Sequence, residues 1–217
     1  MIKATSPIST GGTRTEDENG NATSTKADPG LNEAQSLLTQ GINELGQNEP
    51  DRAIEFFKSA LMMQIKIQDS PGTIATVGCL TRASMLKENF ETAVLFSEIT
   101  ILLCRNIQEK FATQISLKDQ MQAFFKLGKQ NSGLAVMWQI YKICQEIDDP
   151  SLDQLEEYFE GLEKQIGDDE YVKFTSYMQN SAEQIRVEVV SEIRKTHGDD
   201  PLLVEIEGML KGAGIDF

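Results

Sequence analysis

From Leu31 onward the apolar positions recur at helical spacing. In the stretch "AIEFFKSALMMQIKI" (53–67), Ile54, Phe57, Leu61 and Ile65 follow one another in steps of three and four, and Phe56, Ala60 and Met63 widen the stripe. Such steps put one face of a helix against a core and leave the other to solvent. No stretch shows the sustained two-residue alternation of a half-buried strand. Pro50, Pro71, Pro150 and Pro201 stand where a helix would open or a turn would fall. The pattern predicts an all-α chain.

Similar text occurs three times: "QNEPDRAIEFF" (47–57), "KENFETAVLF" (87–96) and "KQNSGLAVMW" (129–138). The alanines after the predicted turns are Ala53, Ala93 and Ala135, at steps of 40 and 42, and the isoleucines at the far ends are Ile67, Ile107 and Ile147, at steps of 40. Two landmarks with one period predict stacked antiparallel helix pairs. The residue types suit that packing. A small side chain is needed where two helices cross, Phe56, Phe57, Phe96 and Trp138 fill the space between pairs, and Asn48, Asn89 and Asn131 suit short polar turns. Phe90 anchors the middle turn.

The chain divides into three zones. Residues 1–30 are Thr, Ser, Gly, Asn and charge with almost no aliphatic side chains, so a disordered polar tail is expected. Residues 31–150 hold the three helix pairs. Residues 151–217 read as acidic C-terminal helices, a divergent pair and a cap. Ser151 is the expected N-cap of a helix with Leu152, Leu155, Phe159 and Leu162 on one face. A long helix follows from 168, closed by Gly198, and a short one after Pro201.

On these residues the chain resembles the tetratricopeptide repeat family, in an extended, degenerate variety with a period near 40 rather than the family's 34. The family's small residue of the first helix matches Gly41, Thr81 and Ala123. Its turn glycine is replaced by Asn48, by Glu88 or Asn89, and by Gln130 or Asn131. The second-helix alanines match Ala53 with Ala60, Ala93 with Thr100, and Ala135 with Lys142. "QDSPGTIA" (68–75) is similar to the turn that links one pair to the next. The resemblance implies a helix-pair solenoid whose first helices line a groove for a partner. The matching positions are Leu38, Ile42 and Leu45, then Gly78, Arg82, Met85 and Leu86, then Gln120, Phe124 and Leu127. The lining is mainly apolar, with one arginine, Arg82, and lacks the lysine and asparagine clamp of the chaperone-binding subgroup. An amphipathic helix or an extended apolar peptide suits such a lining.

Charge narrows the class of partner. The formal net charge is −14, with 34 acidic and 20 basic residues. That excess opposes a phosphate-binding surface and docking on anionic lipid, and it steers a basic partner inward. The acid is concentrated between Glu146 and Glu170, where only Lys164 opposes it, and Asp153, Glu156, Glu157 and Glu160 form the candidate acidic patch. The run "DDPSLDQLEEYF" breaks the residue order of a calcium loop.

Candidate chemistry is sparse. Cys79, Cys104 and Cys144 sit in apolar runs without C-x-x-C spacing, as buried thiols of a reducing cytoplasm do. The single histidine, His197, falls at a helix C-terminus, where the dipole favours a cation. No phosphate-binding glycine loop occurs, no run approaches the length of a membrane helix, and no secretory leader is visible. The expectation is a non-catalytic, cytoplasmic protein-interaction module, without cofactor or metal. It would bind a basic or amphipathic protein or peptide and neither nucleic acid nor membrane. The alternative is a structural subunit that forms a homo-oligomer through its repeats or through Val187, Val189, Val190 and Ile193.

Overall fold

The computed structural model of the chain describes residues 29–217. Among the described residues the regular structure is helical throughout: α1 (Pro29–Gly46), α2 (Pro50–Lys66), α3 (Ser70–Leu86), α4 (Phe90–Asn106), α5 (Lys110–Lys126), α6 (Gln130–Ile147), α7 (Leu152–Ile166), α8 (Asp168–His197) and α9 (Pro201–Gly212). The expected polar tail lies outside the described residues, except that its last two positions, Pro29 and Gly30, open α1.

One turn motif is used again and again. Asn48, Gln68, Glu88, Gln108, Gly128 and Asp148 all have positive φ, between 54° and 70°, at an interval of 20 residues. The next amide in each turn donates to the carbonyl five residues back, from Glu49 to Glu44 through Asp149 to Cys144, at 2.8–3.1 Å. In the first five turns the left-handed residue also donates to the carbonyl three back. This pair of bonds satisfies carbonyls that a helix end leaves without partners. The following residue then caps the next helix. The side chains of Asp69, Asn89 and Glu109 accept from the amides of Gly72, Thr92 and Phe111. The structural unit is therefore a 17-residue helix, as in α2 to α5, plus a three-residue turn. The period near 40 seen in the sequence is two such units.

Four residues past each cap position stands a small, buried residue: Ala53, Thr73, Ala93, Thr113 and Gly133. The third alanine of the sequence pattern, Ala135, is thus two residues out of register, because Gly133 holds the position. A Cβ on Gly133 would lie 2.3 Å from the Phe125 ring, and one on Gly41 would lie 2.4 Å from the Phe57 ring. Those helix pairs approach closely because these residues have no side chain there. The turn of the third sequence repeat keeps its glycine, at Gly128, rather than replacing it by Gln130 or Asn131, and Asn131 lies inside the first turn of α6.

Helices α1 to α6 each pack on their neighbours in sequence, and α1–α3 and α3–α5 also touch. The odd helices line one face and the even helices the other. The chain then folds back over the even face. Helix α8 lies along α6 and reaches α4 and α7, while α9 touches α2 and α4, and neither touches α1, α3 or α5. Val190 and Ile193 of α8 and Leu203, Ile206 and Leu210 of α9 join the same core as Phe57, Leu61, Phe96, Ile99, Leu117 and Phe124. Each large apolar side chain fully buried there contributes roughly 1.5–3 kcal/mol. An aromatic cluster closes the end of the stack. Trp138 meets Phe159 of α7 edge-on at 5.4 Å, with Phe174 of α8 at 6.3 Å.

One charged residue lies in the buried stripe of α8. Arg186 is 1 % exposed and is ion-paired with Glu98 of α4 and, at 2.8 Å, with Glu183. Glu98 also accepts from Gln120 of α5 at 3.1 Å, and Glu183 accepts from Arg105 of α4 at 2.8 Å. Ser151 stands at the N-cap position of α7, as expected, and its carbonyl accepts from the Leu155 amide at 3.3 Å. Its side chain makes no capping bond: the Ser151 amide and hydroxyl both donate to Asp149 Oδ1, the amide at 2.8 Å.

Candidate functional site

The face left open by α8 and α9 carries a groove in two parts. One part, of about 450 Å³, lies among α1, α3 and α5, with Ile42, Leu45, Met85 and Leu86 as its apolar walls. The other, of about 490 Å³, lies between α3 and α5 toward their N-terminal halves, with Ile74, Ala75, Ala112 and Ile115 among its walls and Ile107 at its edge. The two parts meet at Cys79, Arg82 and Asp119. Side chains that a core would bury are left open here: Ile42 is 49 % exposed, Leu86 45 % and Ile107 48 %.

Arg82 and Asp119 span the groove from α3 to α5, with Nε and Oδ2 3.5 Å apart. The pair is lopsided. The Arg82 side chain is 57 % exposed and that of Asp119 only 18 %. Burial pushes the Asp119 carboxyl above its ordinary value, and Arg82 offsets this only in part. Burial likewise pushes the Cys79 thiol up to about 11, so at neutral pH it is a protonated, inert group of the groove floor.

The structure places the sequence-assigned groove residues unevenly. Ile42, Leu45, Arg82, Met85 and Leu86 face the first part and Gly78 the second. Leu38 and Leu127 are half-buried against the main core. Gln120 and Phe124 are fully buried and turn away from the groove, toward the α4 side. Their assignment inherited the two-residue slip in the third repeat. On a helix, two residues are a rotation of about 200°, which exchanges the faces. Steps of 40 from Ile42 and Arg82 lead to Gln122, which does line the groove. Sequence reasoning missed Asp119, and the corrected step from Cys79 would have found it.

The acidic patch is solvent-exposed. Asp153, Glu156, Glu157 and Glu160 lie along α7, whose one buried residue is Phe159. Glu160 stands 3.7 Å from Lys164, and the other three make no ion pair among the described residues. His197 ends α8, with Nε2 4.0 Å from Glu91. The three cysteines are free and buried. Val190 and Ile193, two of the four residues that pointed to self-association, belong to the core, and Val187 is exposed. Among the described residues no cluster of His, Cys, Asp or Glu could hold a metal ion, and no helix is long and apolar enough to cross a membrane.

Fold and groove together define a class, an all-α helical repeat solenoid whose odd-helix face is open among the described residues. No family model matches the chain, and no curated protein matches it.

Proposed function

We propose that this chain is a non-catalytic interaction module of tetratricopeptide-like architecture. It holds an amphipathic helix or extended peptide of a partner protein in the groove of α1, α3 and α5, as an adaptor, chaperone or regulatory subunit does. The observation that carries the reading is the groove itself. Apolar side chains that would stabilise a core stand half-open along it, while the chain spends its own C-terminal helices on the opposite face. Exposed apolar surface gathered in a concave site with a few polar groups is the usual mark of an interaction surface. The strong negative charge gathered around α7 would speed the approach of a basic partner without contributing much to its affinity.

The test is capture of partners from a native lysate by the wild type beside an Ile42→Glu, Leu86→Glu double variant. Both positions are exposed, so the variant should keep its helical content, checked by circular dichroism. A partner held by the wild type and lost by the variant supports the groove reading. The same partners held by both would refute it. Recovery of the chain alone would favour the alternative of a self-associating structural subunit.

A further inference from the structure

We infer that the groove's occupant is a protein segment carrying a Lys or Arg side chain between apolar residues, and that its cation takes Asp119 as counter-ion in place of Arg82. The inference rests on the groove reading above and adds the chemistry that selects the partner.

Asp119 has few partners. Its side chain is 18 % exposed, and its one ion-pair partner among the described residues is Arg82, a single contact of 3.5 Å. A good N–H···O bond spans about 2.7–3.2 Å. A carboxylate with little water and one long contact is short of donors, and its raised pKa expresses that shortage. Arg82 has no such need. More than half exposed, it keeps its water and is in no other ion pair among the described residues. Arg82 is the exposed partner of a single long contact, so a competing cation can take its place beside Asp119.

An anionic occupant aimed at Arg82 fits less well. It would place its charge beside Asp119. It would also approach a molecule of net charge −14. Both features favour a cation.

The flanking residues follow from the position of Asp119 where the two parts of the groove meet. At 1.5 Å per helical residue, Ala75 lies about 10 Å from Arg82 along α3 on one side and Leu86 about 6 Å on the other. An occupant lying along α3 therefore sets apolar side chains at about those distances from its cation. That corresponds to two or three extended residues, or one to two helical turns.

The test is selection of random dodecapeptides displayed on phage against the full chain, repeated against Asp119→Asn. Binding of the winners to Leu86→Glu shows whether they occupy the groove. The expected result is Leu86-dependent peptides with Lys or Arg at a fixed place between apolar residues, bound about tenfold or more weakly by Asp119→Asn. Replacing that cation by norleucine should weaken binding to the wild type and leave binding to Asp119→Asn unchanged. Leu86-dependent peptides without a cation preference, or with an acidic residue at that place, would overturn the inference and leave the groove reading standing. Failure to recover any Leu86-dependent peptide would overturn both.

Discussion

Five of the six turns that link α1 through to α7 place a residue other than glycine in the left-handed region: Asn48, Gln68, Glu88, Gln108 and Asp148. Asn and Asp tolerate that conformation, whereas Gln and Glu bear a steric cost of about 1–2 kcal/mol there. Replacing Glu88 or Gln108 by Gly should therefore raise stability by up to about 1 kcal/mol, even after the added freedom of the unfolded chain. In urea denaturation the midpoint should rise with the slope unchanged, and a lower midpoint would contradict the turn geometry. Gly41 is the opposite case. Alanine there favours the helix by about 1 kcal/mol, but its Cβ would meet the ring of Phe57, which is fully buried and has nowhere to move. Overpacking of that kind costs about 1–3 kcal/mol, so Gly41→Ala is expected to lower the urea midpoint. At this scale the sequence was only partly legible. The apolar stripe and the isoleucine landmarks were correct, but small residues substitute for one another at a crossing. With Gly133 in place of alanine the alignment slid to Ala135, and the assigned face of α5 turned with it.

Helix α8 joins the stack through a stripe formed by Met178, Ala182, Arg186, Val190 and Ile193, with an arginine at its centre. Removing one member of a buried ion pair costs about 3–5 kcal/mol, because its partner's charge stays buried alone. Arg186→Ala should lose about that much in urea denaturation. The double variant Arg186→Met, Glu98→Met should lose less than Arg186→Ala alone, since no orphan charge remains. A double variant as unstable as the single would show that the ion pair itself holds α8. The network also sets an acid limit. Burial pushes the Glu183 carboxyl up, but the hydrogen bonds and charges of Arg105 and Arg186 outweigh it and bring it down to about 2, from an ordinary 4.5. A depressed carboxyl stabilises the fold fully above its unfolded value and loses that contribution as pH falls from about 4.5 toward 2. Trp138, the single tryptophan, packs near α8 and reports this contact. Its emission should shift to the red over that interval, and Glu183→Gln should flatten the change. The helix was legible in the sequence as a long element ending at Gly198. Its buried stripe was not, since a charged residue in the middle hides an apolar face until its counter-charge, far away in the chain, is known.

On the scale of the whole molecule, the described residues cover the even helices and leave the outer face of the odd helices open. That asymmetry was beyond the sequence, because the stripe on each helix shows that a face is buried without showing what buries it. Whether the C-terminal helices would fill the groove or back it depended on contacts between residues about a hundred apart, such as Asn89 with Asp200. Helix α9 adds Leu203, Ile206 and Leu210 to the main core. Truncating Ile206 to Ala should therefore cost about 2–5 kcal/mol, as deletions in a continuous core do. It should also lower the single unfolding transition of the whole stack rather than create a second one. A separate early transition, seen by differential scanning calorimetry, would mean that α9 is only an appendage. The most direct measurement is hydrogen–deuterium exchange on the chain alone and bound to its captured partner. The account predicts slowed exchange in residues 41–46, 78–86 and 112–122, the walls of the groove, with α8 and α9 unchanged. Protection confined to α7, α8 or α9, with the odd-helix face exchanging as before, would contradict it.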